Sequence, residues 1–93
     1  MHYKDELVVI VRKYVPVGTI YLFGSRARGT HGPMSDIDIA IDAGMPIDRS
    51  ALGLIKEEVE ESRIPFFVDV LDFRLLDEDM QKEILREGIV WQM

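Results

Sequence analysis

The segment Asp36-Ile37-Asp38-Ile39-Ala40-Ile41-Asp42 alternates without a break between acid or small residues and isoleucine. Side chains of a strand point to opposite faces in turn, so this heptad is a strand over 36–42. Ile37, Ile39 and Ile41 form its buried face, and Asp36, Asp38, Ala40 and Asp42 form a polar one. A chain carrying it must build a sheet and cover at least one side of it. Asp36 and Asp38 then stand about 6.5–7 Å apart on the same face. Like charges held this close repel each other, so the pair costs stability unless something positive is bound.

The flanking residues complete a pattern. Thr19–Phe23 is a short apolar run of strand type that ends at Gly24, and Ser25 to Gly29 has room for one helical turn. Unpaired N–H groups at the start of such a turn, glycine that lets an anion approach the backbone, and a serine hydroxyl suit a phosphate. Taken alone, Gly24-Ser25 reads more simply as a strand-to-helix turn with a serine N-cap. Between Thr19 and Ser35 the only formal charges are Arg26 and Arg28, both positive, and the acids follow at once. A basic turn next to a carboxylate pair suits a phosphate ligand held with a divalent cation. Residues 30–35, punctuated by Gly32-Pro33, are a loop in which His31 is solvated. His2 and His31 make no metal pair.

A third carboxylate comes from Phe66-Phe67-Val68-Asp69-Val70-Leu71-Asp72, within a strand expected from Phe66 to Phe73. A lone acid inside an apolar strand is costly unless paired or metal-bound, which favours Asp69. Asp72, nearer the strand end, reads as a turn or surface acid, and Asp42 lies too far along its strand to join the pair.

The rest of the chain supplies the frame. Residues 3–15 place Tyr3, Leu7, Ile10, Val11 and Tyr14 at helical spacing before Pro16 and Gly18. A helix over about 48–62 has Asp48 as N-cap and Leu52, Ile55 and Val59 inward; the Lys56–Glu61 charge run is its solvated face. A last helix from near Asp77 to Glu87 turns Met80, Ile84 and Leu85 inward and ends at Gly88. Ile89-Val90-Trp91 is a final strand, and the aromatic residues of the third strand, with Trp91, belong to the core. The order αβ(turn)βαβαβ gives an α/β (α+β) fold with a mixed β-sheet flanked by helices.

Composition sets the outer bounds. The 93 residues are expected to form one domain over 1–93, with 47% apolar residues for its core. The net charge of −6 disfavours a nucleic-acid partner. With no cysteine, disulfides, thiolate nucleophiles and zinc-thiolate sites are excluded. Neither a membrane span nor a signal peptide is legible, so no membrane association and a cytoplasmic setting are expected.

Gly24-Ser25, ten intervening residues, then Asp36-Ile37-Asp38 resembles the signature of minimal nucleotidyltransferases of the DNA polymerase β superfamily. Leu-Phe-Gly-Ser-Arg-Ala-Arg-Gly and Ser-Asp-Ile-Asp-Ile-Ala-Ile both read as family segments, and Arg86-Glu87-Gly88-Ile89-Val90 is similar to the family's usual ending. The resemblance implies a palm-like nucleotidyltransferase fold. It implies that Gly24 and Ser25, with Arg28 and Arg26, bind the triphosphate, and that Asp36, Asp38 and Asp69 hold two Mg²⁺ ions. Asp69 would also help deprotonate an acceptor hydroxyl. It implies ATP as substrate, and, for chains this short, a helical HEPN toxin as partner, modified with AMP on a tyrosine by its antitoxin. The expected lack of an acceptor-recognising domain makes a partner or a homo-oligomer necessary. Two other readings stand beside it: a small-molecule adenylyltransferase of the antibiotic-modifying type, and a non-catalytic antitoxin that acts by binding.

Overall fold

In a computed structural model, residues 3–30, 32 and 35–93 are described. His2, His31, Pro33 and Met34 lie outside them, and with them the expectations for both histidines and part of the 30–35 loop. The chain runs α1 (Lys4–Tyr14), β1 (Thr19–Phe23), α2 (Ser25–Arg28), β2 (Ile37–Asp42), α3 (Arg49–Glu61), β3 (Val68–Asp72), a 3-10 turn (Phe73–Leu75), α4 (Glu78–Glu87) and β4 (Ile89–Gln92). The strands form one mixed sheet in the order β3-β2-β1-β4. β1 pairs antiparallel with β2 and with β4, and β2 pairs parallel with β3. A parallel pair needs a crossover, which α3 provides.

The isoleucine face of β2 is the centre of the larger core. Ile37, Ile39 and Ile41 are fully buried with Ile20 and Leu22 of β1 and Val70 of β3, under Leu7, Ile10 and Val11 of α1 and Ile55 and Val59 of α3. Each such side chain contributes about 1.5–3 kcal/mol by leaving water. Asp48 caps α3 by accepting from the Ala51 N–H at 3.3 Å, and Asp77 caps α4 by accepting from the Met80 N–H at 2.8 Å. Glu58 leaves the solvated face of α3 to bind α1, accepting from Lys13 Nζ at 2.9 Å and Tyr14 Oη at 2.5 Å. Both hydrogen bonds hold its carboxyl below the usual range, and the Tyr14 hydroxyl is correspondingly raised.

The opposite face of the sheet is not uniformly polar. Ala40 is buried there against Phe73 and Ile84, with Tyr21, Phe23 and Met80 packed around them. The small side chain at 40 lets α4 and the 3-10 turn close over mid-sheet, which separates Asp38 at one end of the face from Asp42 at the other.

Several expectations are corrected. Asp36 precedes β2 and is exposed rather than part of the strand. β3 is shorter than expected, beginning at Val68 and ending where Phe73 opens the 3-10 turn. Phe67 is 68% exposed and so is not core, because it precedes a strand that forms the sheet's edge. Leu85 is 60% exposed: one residue past Ile84, it is turned about 100° away from the stripe facing the sheet. Gly88 does end α4, but at φ −71° rather than in the left-handed region. Its role is close approach, since a Cβ there would overlap the Ile84 carbonyl and lie 3.2 Å from that of Leu22.

Candidate active site

β1 delivers the Gly24-Ser25 turn to the end of the sheet where β2 presents its acids. Phe23 is the register partner of Asp38 in β2, and Asp38 is the register partner of Asp69 in β3. The turn, Asp38 and Asp69 therefore lie in a row across the sheet, with neighbouring strands about 4.8 Å apart. Asp36, one residue before β2, stands exposed at the mouth of the same end.

Gly24 has φ 75° and ψ −157°, a region essentially reserved for glycine. A Cβ at this position would overlap the Asp38 carboxylate. The missing side chain is what brings the turn into contact with the acid. Gly24, not Ser25, is the N-cap of α2, and it has no side chain to cap the first N–H groups. The simpler reading of a serine cap therefore does not hold. The Ser25 hydroxyl has no hydrogen-bond partner among the described residues, which leaves the turn's donors available to a ligand.

Burial raises the Asp38 pKa, the neighbouring Asp69 and Asp36 raise it further, and Arg28 opposes them. Acidic neighbours therefore dominate the field at Asp38. Elsewhere the structure gives strand-end and cap aspartates partners. Asp42 holds Arg74 Nε at 2.7 Å and the Gly44 N–H at 2.9 Å, and Asp48 and Asp77 cap helices. Asp72 is 5% exposed, far from the surface acid expected. It accepts from the Ile47 N–H at 2.7 Å and the Arg74 N–H at 3.1 Å, which fixes the exit of β3. By contrast, Asp36, Asp38 and Asp69 have no hydrogen bond or ion pair through their carboxylates among the described residues. No three His, Cys, Asp or Glu side chains are gathered there into a ready-made metal site, as expected of mutually repelling anions. An all-oxygen, acceptor-only set with unused lone pairs fits a hard divalent cation.

The two arginines part company. Arg26 donates from Nε and Nη2 to the Ser35 carbonyl at 3.1 and 2.7 Å, and from Nε to that of Asp36 at 3.2 Å. Its guanidinium also lies 4.5 Å from the centre of the Phe66 ring. It thus ties α2 to the loop carrying Asp36. Arg28, with its side chain 45% exposed, makes one 3.6 Å ion pair with Glu87. It stands beside a cleft of about 150 Å³ walled by Phe23, Gly24, Met80 and Ile84. A cleft of about 680 Å³ between α1 and α3 contains none of these residues.

Sequence reasoning missed the Phe66 platform under Arg26 and the Glu87 partner of Arg28. Both are contacts between distant segments with no local signal.

The polymerase β nucleotidyltransferase family matches residues 5–91. The chain is 40% identical over 90 residues to a probable protein adenylyltransferase MntA of Haemophilus influenzae, covering 94% of this chain and 78% of that protein. It is 29% identical over 86 residues to the protein adenylyltransferase MntA of Shewanella oneidensis, covering 91% of this chain and 61% of the relative. Among solved structures, a toxin–antitoxin structure determined with AMP-PNP superposes with a TM-score of 0.81 at 27% identity, over 96% of this chain and 72% of the other. A tri-AMPylated Shewanella oneidensis HEPN toxin in complex with an MNT antitoxin superposes with a TM-score of 0.76 at 23% identity, over 98% and 70%. At that identity the second likeness shows the fold alone.

Proposed function

This chain belongs to the polymerase β nucleotidyltransferase family, and from that premise we propose that it transfers AMP from ATP to a tyrosine hydroxyl of a HEPN-type partner and acts as that toxin's antitoxin. The observation that carries the reading is the set of three carboxylates, Asp36, Asp38 and Asp69, that meet no hydrogen-bond or ion-pair partner among the described residues, beside a glycine-serine turn that touches one of them. Both relatives are protein adenylyltransferases by name, which supports a protein acceptor.

In this reading Gly24 and Ser25 hold the triphosphate through backbone N–H groups and the serine hydroxyl. Arg28 exchanges its exposed, long contact with Glu87 for phosphate oxygens, and a guanidinium can meet two of them at once. Arg26, committed to carbonyls and to Phe66, keeps Asp36 at the site. Mg²⁺ ions held by Asp36, Asp38 and Asp69 would supply positive charge at the oxygens of the transferring phosphorus. Asp69 takes the tyrosine proton as the hydroxyl attacks.

Purified protein incubated with ATP labelled on its α-phosphate, Mg²⁺ and a HEPN-type protein from the same genome tests the reading. Label on a partner tyrosine is the expected result. A tight complex without label would favour neutralisation by binding, and label only on small hydroxylated molecules would favour the antibiotic-type activity.

A further inference from the structure

Asp38 and Asp69 are fixed relative to each other by the ladder between β2 and β3. Asp36 is exposed and precedes β2, so its position must be set in another way. The Arg26 guanidinium donates to the Ser35 carbonyl at 2.7 and 3.1 Å and to the Asp36 carbonyl at 3.2 Å. The Ile37 N–H donates to the Phe67 carbonyl at 2.9 Å. The first peptide unit beside the Asp36 Cα is therefore held by its carbonyl, and the second by both its carbonyl and its N–H. Peptide units are planar, so holding both planes sets the direction in which the Asp36 side chain leaves the backbone.

Both restraints lead to one pair of residues. Phe67 supplies an acceptor, and the Arg26 guanidinium lies 4.5 Å from the centre of the Phe66 ring. That ring is held in turn by the Tyr3 ring, edge-on with centroids 5.8 Å apart, and by the larger core behind it. A free arginine side chain has many rotamers, and fixing it on two carbonyls costs conformational entropy. An aromatic face that attracts the guanidinium favours the one arrangement that reaches them. The contact is not core packing, because no residue of α2 is buried. From Phe66 and Phe67 the chain runs directly into β3 and Asp69.

We propose that Phe66 is a positioning residue of the site: its ring holds Arg26 on the Ser35 and Asp36 carbonyls, and thereby holds Asp36 where it can share a divalent cation with Asp38 and Asp69. The inference rests on the metal-site reading above and adds what organises the one ligand that lies outside the sheet. Anions that repel one another spread apart unless they are held, so a ligand fixed in advance lowers the cost of gathering them around a cation.

Phe66→Leu keeps an apolar side chain and removes the aromatic face. Binding of Mn²⁺ alone, read from the free-ion electron paramagnetic resonance signal well below the melting temperature, should weaken about tenfold, as loss of a group that orients a metal ligand typically does. The Mg²⁺ concentration giving half-maximal transfer should rise in step, while KM for ATP at saturating Mg²⁺ stays near the wild-type value. Phe66→Tyr, which keeps the ring face, should restore both. In an Arg26→Ala background the same Phe66→Leu change should have no further effect on Mn²⁺ binding. Undiminished Mn²⁺ affinity in Phe66→Leu, or an equal loss with and without Arg26, would overturn the positioning role while leaving the transfer reading intact. Absence of Mn²⁺ binding by the wild-type protein would remove the metal site and this inference with it. Should Phe66→Leu not fold, Arg26→Met leaves the ring in place and removes the donors. The same tenfold weakening supports the proposal, and unchanged Mn²⁺ affinity overturns it.

Discussion

Asp38 and Asp69 are register partners across the parallel β2–β3 pair, and no protein donor among the described residues meets either carboxylate. Burial and the two neighbouring acids together hold the Asp38 pKa above its ordinary value. The ionised form is therefore penalised in the folded state. The stability it withholds at neutral pH returns as pH falls through the raised folded value, and is fully recovered below the unfolded value near 3.8. Asp38→Asn should raise the metal-free melting temperature at pH 7 by about 2–4 °C, allowing for solvent screening, and should abolish transfer. The gain should vanish in acid, where the wild type is neutral too. A lower melting temperature at pH 7 would make Asp38 a structural residue.

Arg26 and Arg28 should separate cleanly. Arg28→Ala removes a weak exposed ion pair, so stability should hold, while KM for ATP rises about 10-fold or more through loss of a charge-assisted phosphate contact. Arg26→Ala removes hydrogen bonds to two carbonyls and a contact with Phe66. It should cost about 1 kcal/mol of stability. Chemical denaturation and ATP titration of both variants make the comparison; a reversed pattern would assign the phosphate to Arg26.

Gly24→Ala should be damaging on two counts. The backbone sits at φ 75° and ψ −157°, and the added methyl would overlap the Asp38 carboxylate. Strain of this kind costs about 1–3 kcal/mol, and relief by moving the turn away from Asp38 would remove transfer. Wild-type melting and wild-type transfer together would show that the contact is dispensable.

Asp72 and Asp69 exchange the degrees of burial that the sequence suggests, so role does not follow burial in β3. Asp72→Ala leaves the Ile47 and Arg74 N–H groups without their acceptor and should cost about 1–3 kcal/mol, with transfer by the folded fraction retained. Asp69→Asn should keep or raise stability and lose transfer. Denaturant melts combined with specific activity decide it. Stable but inactive Asp72→Ala would move the third carboxylate to 72.

That exchange marks where the sequence stops being legible. Alternation at 36–42 correctly placed Ile37, Ile39 and Ile41 in one core, because a period of two is a local property. The cap at Asp48 was equally local. Which acid of β3 faces Asp38 is decided by the register of two strands joined through α3, and no neighbouring residue encodes it. The burial argument reached Asp69 for a reason that applies better to Asp72, the more buried of the two. The burial of Ala40, the outward turn of Leu85 and the pairing of Arg26 with Phe66 likewise depend on how α4, the 3-10 turn and β3 settle against the sheet.

A crystal structure with Mn²⁺ and a non-hydrolysable ATP analogue, with the metal located by its anomalous signal, tests the central claim most directly. The expected result is manganese bound by carboxylate oxygens of Asp36, Asp38 and Asp69, with the triphosphate resting on the N–H groups of the Gly24-Ser25 turn. Manganese bound away from these three residues, or a triphosphate seated elsewhere on the sheet, would contradict it.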